Sequence, residues 1–171
     1  YADGSKETIA TNTSWKLTTE GPIRSNNEYD GEEYDARKEL GDWTQTGYDD
    51  NNWMPAQRVS IPSGTLRAQM MPGMKVTESL KPVSIRKQGD KHILDIGQNM
   101  AGWVRINIAK AAAGDTICIR YAERVKNDGT ELDVENLRHS QSTDYYICNG
   151  KENNTSYDRL RDLATGCFRC H

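Results

Sequence analysis

The chain has 171 residues, the size of one domain or of two small ones at about 150 residues per domain. Its apolar share of 35% lies above that of disordered chains, and its charged residues nearly cancel to a net charge of -3, which argues against a phosphate-tracking surface and hence against a nucleic-acid partner. No stretch approaches the roughly 20 apolar residues that span a bilayer, and no basic then apolar leader opens the chain; no membrane partner or signal peptide is expected, and localisation stays open. A start at Tyr1 instead of Met is the mark expected of a processed or excised piece.

Taken in order, the first seventy residues set Trp15, Trp43 and Trp53 among Asp, Asn, Gly and Glu, a texture in which loops outweigh strands. A proline-containing stretch, Ile61 to Pro72, then places a boundary near residue 73, so the sequence predicts two small lobes, 1–72 and 73–171. Strand signals follow at Lys75 to Leu80, Val83 to Arg86, His92 to Ile96, Trp103 to Ile108, Thr116 to Ala122 and Asp144 to Cys148, each short, β-branched or aromatic, and bounded by Gly, Asp, Asn or Pro. Val104, Ile106 and Ile108 alternate with Arg105 and Asn107, and Ile117 and Ile119 alternate with Cys118 and Arg120; that period of two turns one face to a core and the other to water. Ala113-Gly114-Asp115 and Asn127-Asp128-Gly129-Thr130 read as turns, and helical periodicity is weak, its best case being Thr130 to Ser140. The fold class that results is all-β, an antiparallel, jelly-roll-like β-sandwich.

Cys118, Cys148, Cys167 and Cys170 are too sparse for a disulfide-stapled scaffold. The ending Cys167-Phe168-Arg169-Cys170-His171 matches the haem c attachment pattern C-x-x-C-H literally, but haem wrapping is helical and this sequence is strand-rich, so the match reads as incidental. His92, His139 and His171 are scattered, which gives no support to a histidine metal site or triad. Asn12, Asn153 and Asn154 open N-x-S/T triplets, which carry glycans only in a eukaryotic secretory pathway.

Asp30, Glu32, Glu33 and Asp35 place four carboxylates within six residues. An acid and base pair would need a separation of roughly 5 to 10 Å across a sugar, and pairing with Arg37 or Lys38 at a solvated edge is the simpler reading. Asp49-Asp50-Asn51-Asn52 runs into Trp53 where an EF-hand needs an oxygen ligand, so it reads as a turn before a packed indole. Trp43 and Trp53, in polar loops, are candidate platforms for the C–H face of a sugar. Gly97-Gln98-Asn99-Met100-Ala101-Gly102 lies between strands and reads as architectural.

Two long motifs, Ser25-Asn26-Asn27-Glu28-Tyr29-Asp30-Gly31-Glu32-Glu33-Tyr34-Asp35-Ala36-Arg37 and Asp95-Ile96-Gly97-Gln98-Asn99-Met100-Ala101-Gly102-Trp103-Val104-Arg105, make the chain resemble bacterial α-L-rhamnosidases of glycoside hydrolase family 78. Tyr48-Asp49-Asp50-Asn51-Asn52-Trp53, Gly114-Asp115, Tyr121-Ala122-Glu123, Leu137-Arg138 and Thr143-Asp144-Tyr145-Tyr146-Ile147 follow in family order. The resemblance implies that residues 1–72 are the latter part of a lectin-like carbohydrate-binding module and residues 73–171 a concanavalin-like β-sandwich. It places catalysis in a downstream (α/α)6 barrel, so this chain is expected to hydrolyse nothing by itself and to serve sugar recognition and support of that barrel; the rival expectation is a purely structural module without a ligand. Leu163 to His171 depart from the family's usual Gly-Phe-Arg-Tyr strand. Some family members bind rhamnose through calcium in the lectin-like module, and Ca2+ takes six to eight oxygens from carboxylates, amides and carbonyls. The resemblance therefore makes Asn26, Asn27 and Asp30 candidate calcium ligands, and Asn26, Asn27, Asp30, Glu32, Trp43 and Trp53 candidate contacts to a rhamnose-containing glycan.

Overall fold

The computed structural model describes residues 1–73 and 75–151, and the backbone of residues 155–158 and 167–170. Strands β1 (Lys16–Leu17), β2 (Ile23–Asn27), β3 (Gly31–Asp35) and β4 (Met54–Pro55) come from the first half of the chain. They are followed by β5 (Ser84–Gln88), β6 (Lys91–Asp95), β7 (Arg105–Ile108), β8 (Thr116–Ala122), β9 (Arg124–Val125) and β10 (Leu132–Asp133). The last three are β11 (Thr143–Ile147), β12 (Thr155–Asp158) and β13 (Cys167–Cys170). Two single 3-10 turns, Ala36–Lys38 and Glu135–Leu137, are the helical segments among the described residues, so the protein is all-β.

The chain divides into two compact units, one made of Tyr1–Gly21 and Leu40–Gly73, the other of Pro22–Glu39 and Met74–His171. The expected lobe of residues 1–72 is thus interrupted: its segment 22–39 belongs with the later strands. In the first unit β1 pairs with β4 antiparallel, Ala56 N–H donates to the Trp15 carbonyl, and none of its described residues is buried. Loops do outweigh strands there.

The second unit is built on a seven-stranded sheet of order β2-β3-β11-β8-β13-β6-β5. Its neighbours are antiparallel except β11 and β3, which run parallel with Tyr146 opposite Tyr34. The alternation of β8 has the consequence read from it: Ile119 and Tyr121 are 1% and 0% exposed, and Val104, Ile106, Leu94, Ile96 and Ile117 pack on them. A second cluster joins Ile108, Tyr146, Cys148 and Ala36. Because Ile106 touches both clusters, β7, paired with β12, is the second layer of the sandwich, and each large aliphatic or aromatic side chain buried between the layers contributes about 1.5–3 kcal/mol. The rings of Tyr34 and Tyr146 stack across their strand pair at 5.6 Å and 7°, an arrangement that adds to plain burial.

One expected strand does not form. Lys75 to Leu80 forms no strand, and Val76 is exposed: its β-branched residues meet no partner strand, and β propensity alone does not make a ladder. Between Thr130 and Ser140 only β10 and the 3-10 turn form. The C-x-x-C run is strand backbone, hydrogen-bonded to β8 on one side and β6 on the other; His171, Asn153 and Asn154 lie outside the described residues. The Gly97 segment behaves as architecture: Gly97 has φ +82, and its N–H donates to Asp95 Oδ1 at 2.8 Å.

Candidate functional site

Most of the polar candidates sit where β2 turns into β3. Asn27 Oδ1 accepts the N–H groups of Tyr29 at 2.9 Å and Asp30 at 2.7 Å, the bond pattern by which an Asx side chain mimics a backbone turn. Its amide nitrogen donates to Asp30 Oδ2 at 2.9 Å. The segment before β11 grips the same turn. Thr143 N–H donates to the Asp30 carbonyl at 2.8 Å, Ser142 N–H to the Tyr29 carbonyl at 3.0 Å, and the Ser140 hydroxyl also donates to the Tyr29 carbonyl.

One strand further in, the chain buries carboxylates. Glu32 is 4% exposed and Asp144 1%. A buried carboxylate is tolerable only when donors replace its water, and Asp144 has two: Tyr121 Oη donates to Oδ2 at 2.6 Å, and Glu32 N–H donates to Oδ1 at 3.0 Å. Asn26 Nδ2 donates to Glu32 Oε2 at 3.2 Å. Asn26, Glu32, Tyr121 and Asp144 thus form a polar seam that joins the β2–β3 hairpin to the centre of the sheet.

Asp35 closes β3 and caps the 3-10 turn after it, its Oδ1 accepting Arg37 N–H at 3.0 Å. Arg37 returns a two-pronged ion pair, Nε to Oδ1 at 2.8 Å and Nη2 to Oδ2 at 2.9 Å, so the pairing expected for the acidic run is realised here. The hydrogen bond from the guanidinium, against an opposing push from burial, holds the Asp35 carboxyl below its ordinary range. A carboxyl depressed in the folded state stabilises the fold above the unfolded-chain pKa and loses that contribution as pH falls through the folded value. Arg37→Ala is therefore expected to raise the Asp35 pKa, read by carboxyl-carbon NMR titration, and to bring acid unfolding to a higher pH; an unmoved titration would refute the assignment. Tyr34 donates from Oη to Glu39 Oε1 at 3.0 Å; burial first, and then the charge of Glu39, push its hydroxyl well above the ordinary range.

The aromatic candidates belong to the first unit. Trp43 and Trp53 lie 6.3 Å apart at 40°, and Tyr48 meets Trp53 edge-on at 5.8 Å and 61°. Tyr48 was not among the expected site residues, although it opens the same Tyr48-to-Trp53 run. The polar residues between are structural: Trp53 N–H donates to the Asp50 carbonyl at 3.0 Å, Asn51 N–H to Asp49 Oδ1 at 3.1 Å, and Lys16 Nζ pairs with Asp50 Oδ1 at 2.6 Å. This turn sets Trp53 behind Trp43, which is 54% exposed. The structure therefore brings Trp43 and Trp53 together, and separately Asn26, Asn27, Asp30 and Glu32, in different units. Among the described residues no three His, Cys, Asp or Glu side chains converge at metal-binding range.

What the two units define together is an all-β region in which a loop-built aromatic cluster accompanies a sandwich with a polar seam. Residues 1–78 match the α-L-rhamnosidase N-terminal domain, and residues 85–161 match the bacterial α-L-rhamnosidase concanavalin-like domain. An α-L-rhamnosidase of Formosa agariphila is 40% identical over 146 residues, covering 85% of this chain and 16% of that protein. The structure of an α-L-rhamnosidase from Dictyoglumus thermophilum superposes on 99% of this chain with a TM-score of 0.88 and 32% identity, this chain covering 19% of it. That of the Streptomyces avermitilis α-L-rhamnosidase complexed with L-rhamnose does so with a TM-score of 0.86 and 31% identity, 16% of it being covered. The chain belongs to the α-L-rhamnosidase family, in which it is the N-terminal and concanavalin-like, non-catalytic region. It spans 16 to 19% of the length of these relatives.

Proposed function

We propose that this region recognises rhamnose-bearing glycan through the Trp43 face and that its sandwich supports the catalytic domain of a longer α-L-rhamnosidase. The observation that carries the recognition is Trp43, exposed yet backed by Trp53, which Tyr48 backs in turn: a fixed, flat apolar surface suited to the C–H side of a pyranose. In this reading hydrolysis resides in a separate (α/α)6 barrel and proceeds with inversion, an acid protonating the leaving oxygen and a base activating water. The calcium part of the reading rests on Asn26, Asn27 and Asp30, three oxygen-bearing side chains on one hairpin, and requires that Asn27 Oδ1 give up its two N–H donors to the cation.

The test is calorimetric titration of L-rhamnose into the folded chain, with calcium and then with a chelator. Trp43→Ala is expected to abolish the calcium-independent heat, and Asn27→Ala or Asp30→Ala to remove the calcium-dependent part. A purely structural module is the second reading, favoured by the use of Asn26, Asn27, Asp30 and Glu32 in internal hydrogen bonds. It predicts no heat in either condition while Asp30→Ala lowers the melting temperature, and that pair of results would overturn the recognition reading.

A further inference from the structure

Past the end of β11 the chain runs Cys148-Asn149-Gly150-Lys151, and Asn149-Gly150 is the one Asn-Gly pair in the sequence. Asn149 is half-buried, whereas Gly150 and Lys151 are exposed. Asn149 Oδ1 accepts the Lys151 N–H at 2.7 Å, the bond of an Asx turn, which folds the side-chain amide back over the Gly150 peptide. Gly150 has φ +81, and a Cβ there would stand 2.9 Å from the Ala113 nitrogen. The position calls for glycine, and glycine leaves its own nitrogen without a side-chain screen. Asn12 and Asn27 make the same bond, to Ser14 N–H at 2.8 Å and Tyr29 N–H at 2.9 Å, but Thr13 and Glu28 follow them.

We propose that Asn149 is a self-modifying site, at which the turn converts the side-chain amide to a carboxylate with water as co-reactant. The Gly150 nitrogen gives up its proton and attacks Cγ of Asn149, so that a C–N bond forms and negative charge gathers on Oδ1. That oxygen already holds the Lys151 N–H, a donor placed where the charge develops. The C–Nδ2 bond then breaks, ammonia leaves with the proton, and a cyclic succinimide remains. Water opens the ring at either carbonyl and yields aspartate or isoaspartate, so ammonia is lost, water is gained and no atom changes oxidation state. Both products add a negative charge, and isoaspartate also puts one more carbon into the main chain between Cys148 and Gly150. Cys148 is held in place: it is 0% exposed, its N–H donates to the Asp115 carbonyl at 2.8 Å, and its carbonyl accepts the Gly114 N–H at 2.9 Å. The added length therefore displaces Gly150 from Ala113 and loosens the chain where it leaves β11.

The test is a time course of the 171-residue chain in neutral buffer, native and in urea, read by intact mass and by peptide mapping that separates aspartate from isoaspartate. Asn149 is expected to be converted before Asn12, Asn27 and every other asparagine, at a native rate at least equal to the rate in urea. Lys151→Pro removes the N–H donor and is expected to slow the native conversion about fivefold or more while leaving the rate in urea unchanged. Asn149→Gln keeps an amide but lengthens the ring that must close, and is expected to abolish the early mass gain. In the converted chain, hydrogen exchange of the Gly114 amide is expected to speed up. Conversion of another asparagine first, a native rate below the rate in urea, or an unchanged native rate in Lys151→Pro would overturn the proposal.

Discussion

Asp144→Ala is expected to destabilise the second unit by about 2–6 kcal/mol, because it leaves two buried donors without an acceptor at about 1–3 kcal/mol each. The donors are the Tyr121 hydroxyl, on a side chain with 0% exposure, and the Glu32 N–H. Asp144→Asn keeps one carbonyl oxygen and is expected to lose about half as much. Urea unfolding followed by tyrosine and tryptophan fluorescence measures both, and the midpoint should move while the slope stays constant. A loss below about 0.5 kcal/mol, the range of an ordinary surface substitution, would show that Asp144 does not hold the seam together.

Gly31→Ala is expected to act through sterics at the same junction and to cost more than about 4 kcal/mol, beyond the usual range for one substitution. A Cβ at residue 31 would stand 1.9 Å from the Thr143 carbonyl oxygen and 2.6 Å from its carbon. Both are backbone atoms of a segment fixed by the Thr143 N–H bond to Asp30, so neither can swing aside as a side-chain end would. The backbone of Gly31 also holds φ +119, which L-residues disfavour. The expected outcome is local: amide exchange at Glu32 and along β3 speeds up, while β8 and β11 keep their mutual protection. Gly21→Ala, where the added carbon meets nothing within 4 Å, is the near-neutral control. Unchanged protection of β3 in Gly31→Ala would disprove the close packing of the hairpin against β11.

How far the sequence foretells this arrangement depends on which residues face inward. β8 is legible because Ile117, Ile119 and Tyr121 alternate with Cys118 and Arg120, and the inward face is apolar. The strands near Ser84, Lys91, Arg105 and Thr143 follow from the same signal to within two residues. β2 and β3 give no such signal. Their inward residues include Glu32 and their outward ones Ser25 and Asn27, so a hydrophobicity pattern sees only a polar loop, and the acceptor of the Glu32 N–H, Asp144, lies on a strand 112 residues away. The parallel pairing of β3 with β11 is likewise a property of distant partners. Lys75 to Leu80 shows the converse, residues fit for a strand with no strand beside them.

The candidate site divides along the same line. Trp43 and Trp53 are each picked out by their polar loop settings, but their pairing at 6.3 Å and the contact of Tyr48 with Trp53 belong to the folded turn and are not read from the sequence. The acidic run reads as a solvated edge paired with Arg37 or Lys38; the pairing holds for Asp35 and Arg37, but Glu32 and Asp35 are interior, and Glu32 takes its donor from Asn26.

The threading of residues 22–39 into a sheet otherwise made after residue 73 separates what can be inherited as a block from what folds as one. The matches to known domains break between residues 78 and 85, and a recombination event there would look, on the gene, like a clean exchange of cassettes. The recipient would nonetheless receive β11 without β3 alongside it, a bare strand edge that seeks another chain. Stretches 1–78 and 85–161 are therefore bound to travel as a pair, and their lineages should record a shared history instead of independent shuffling.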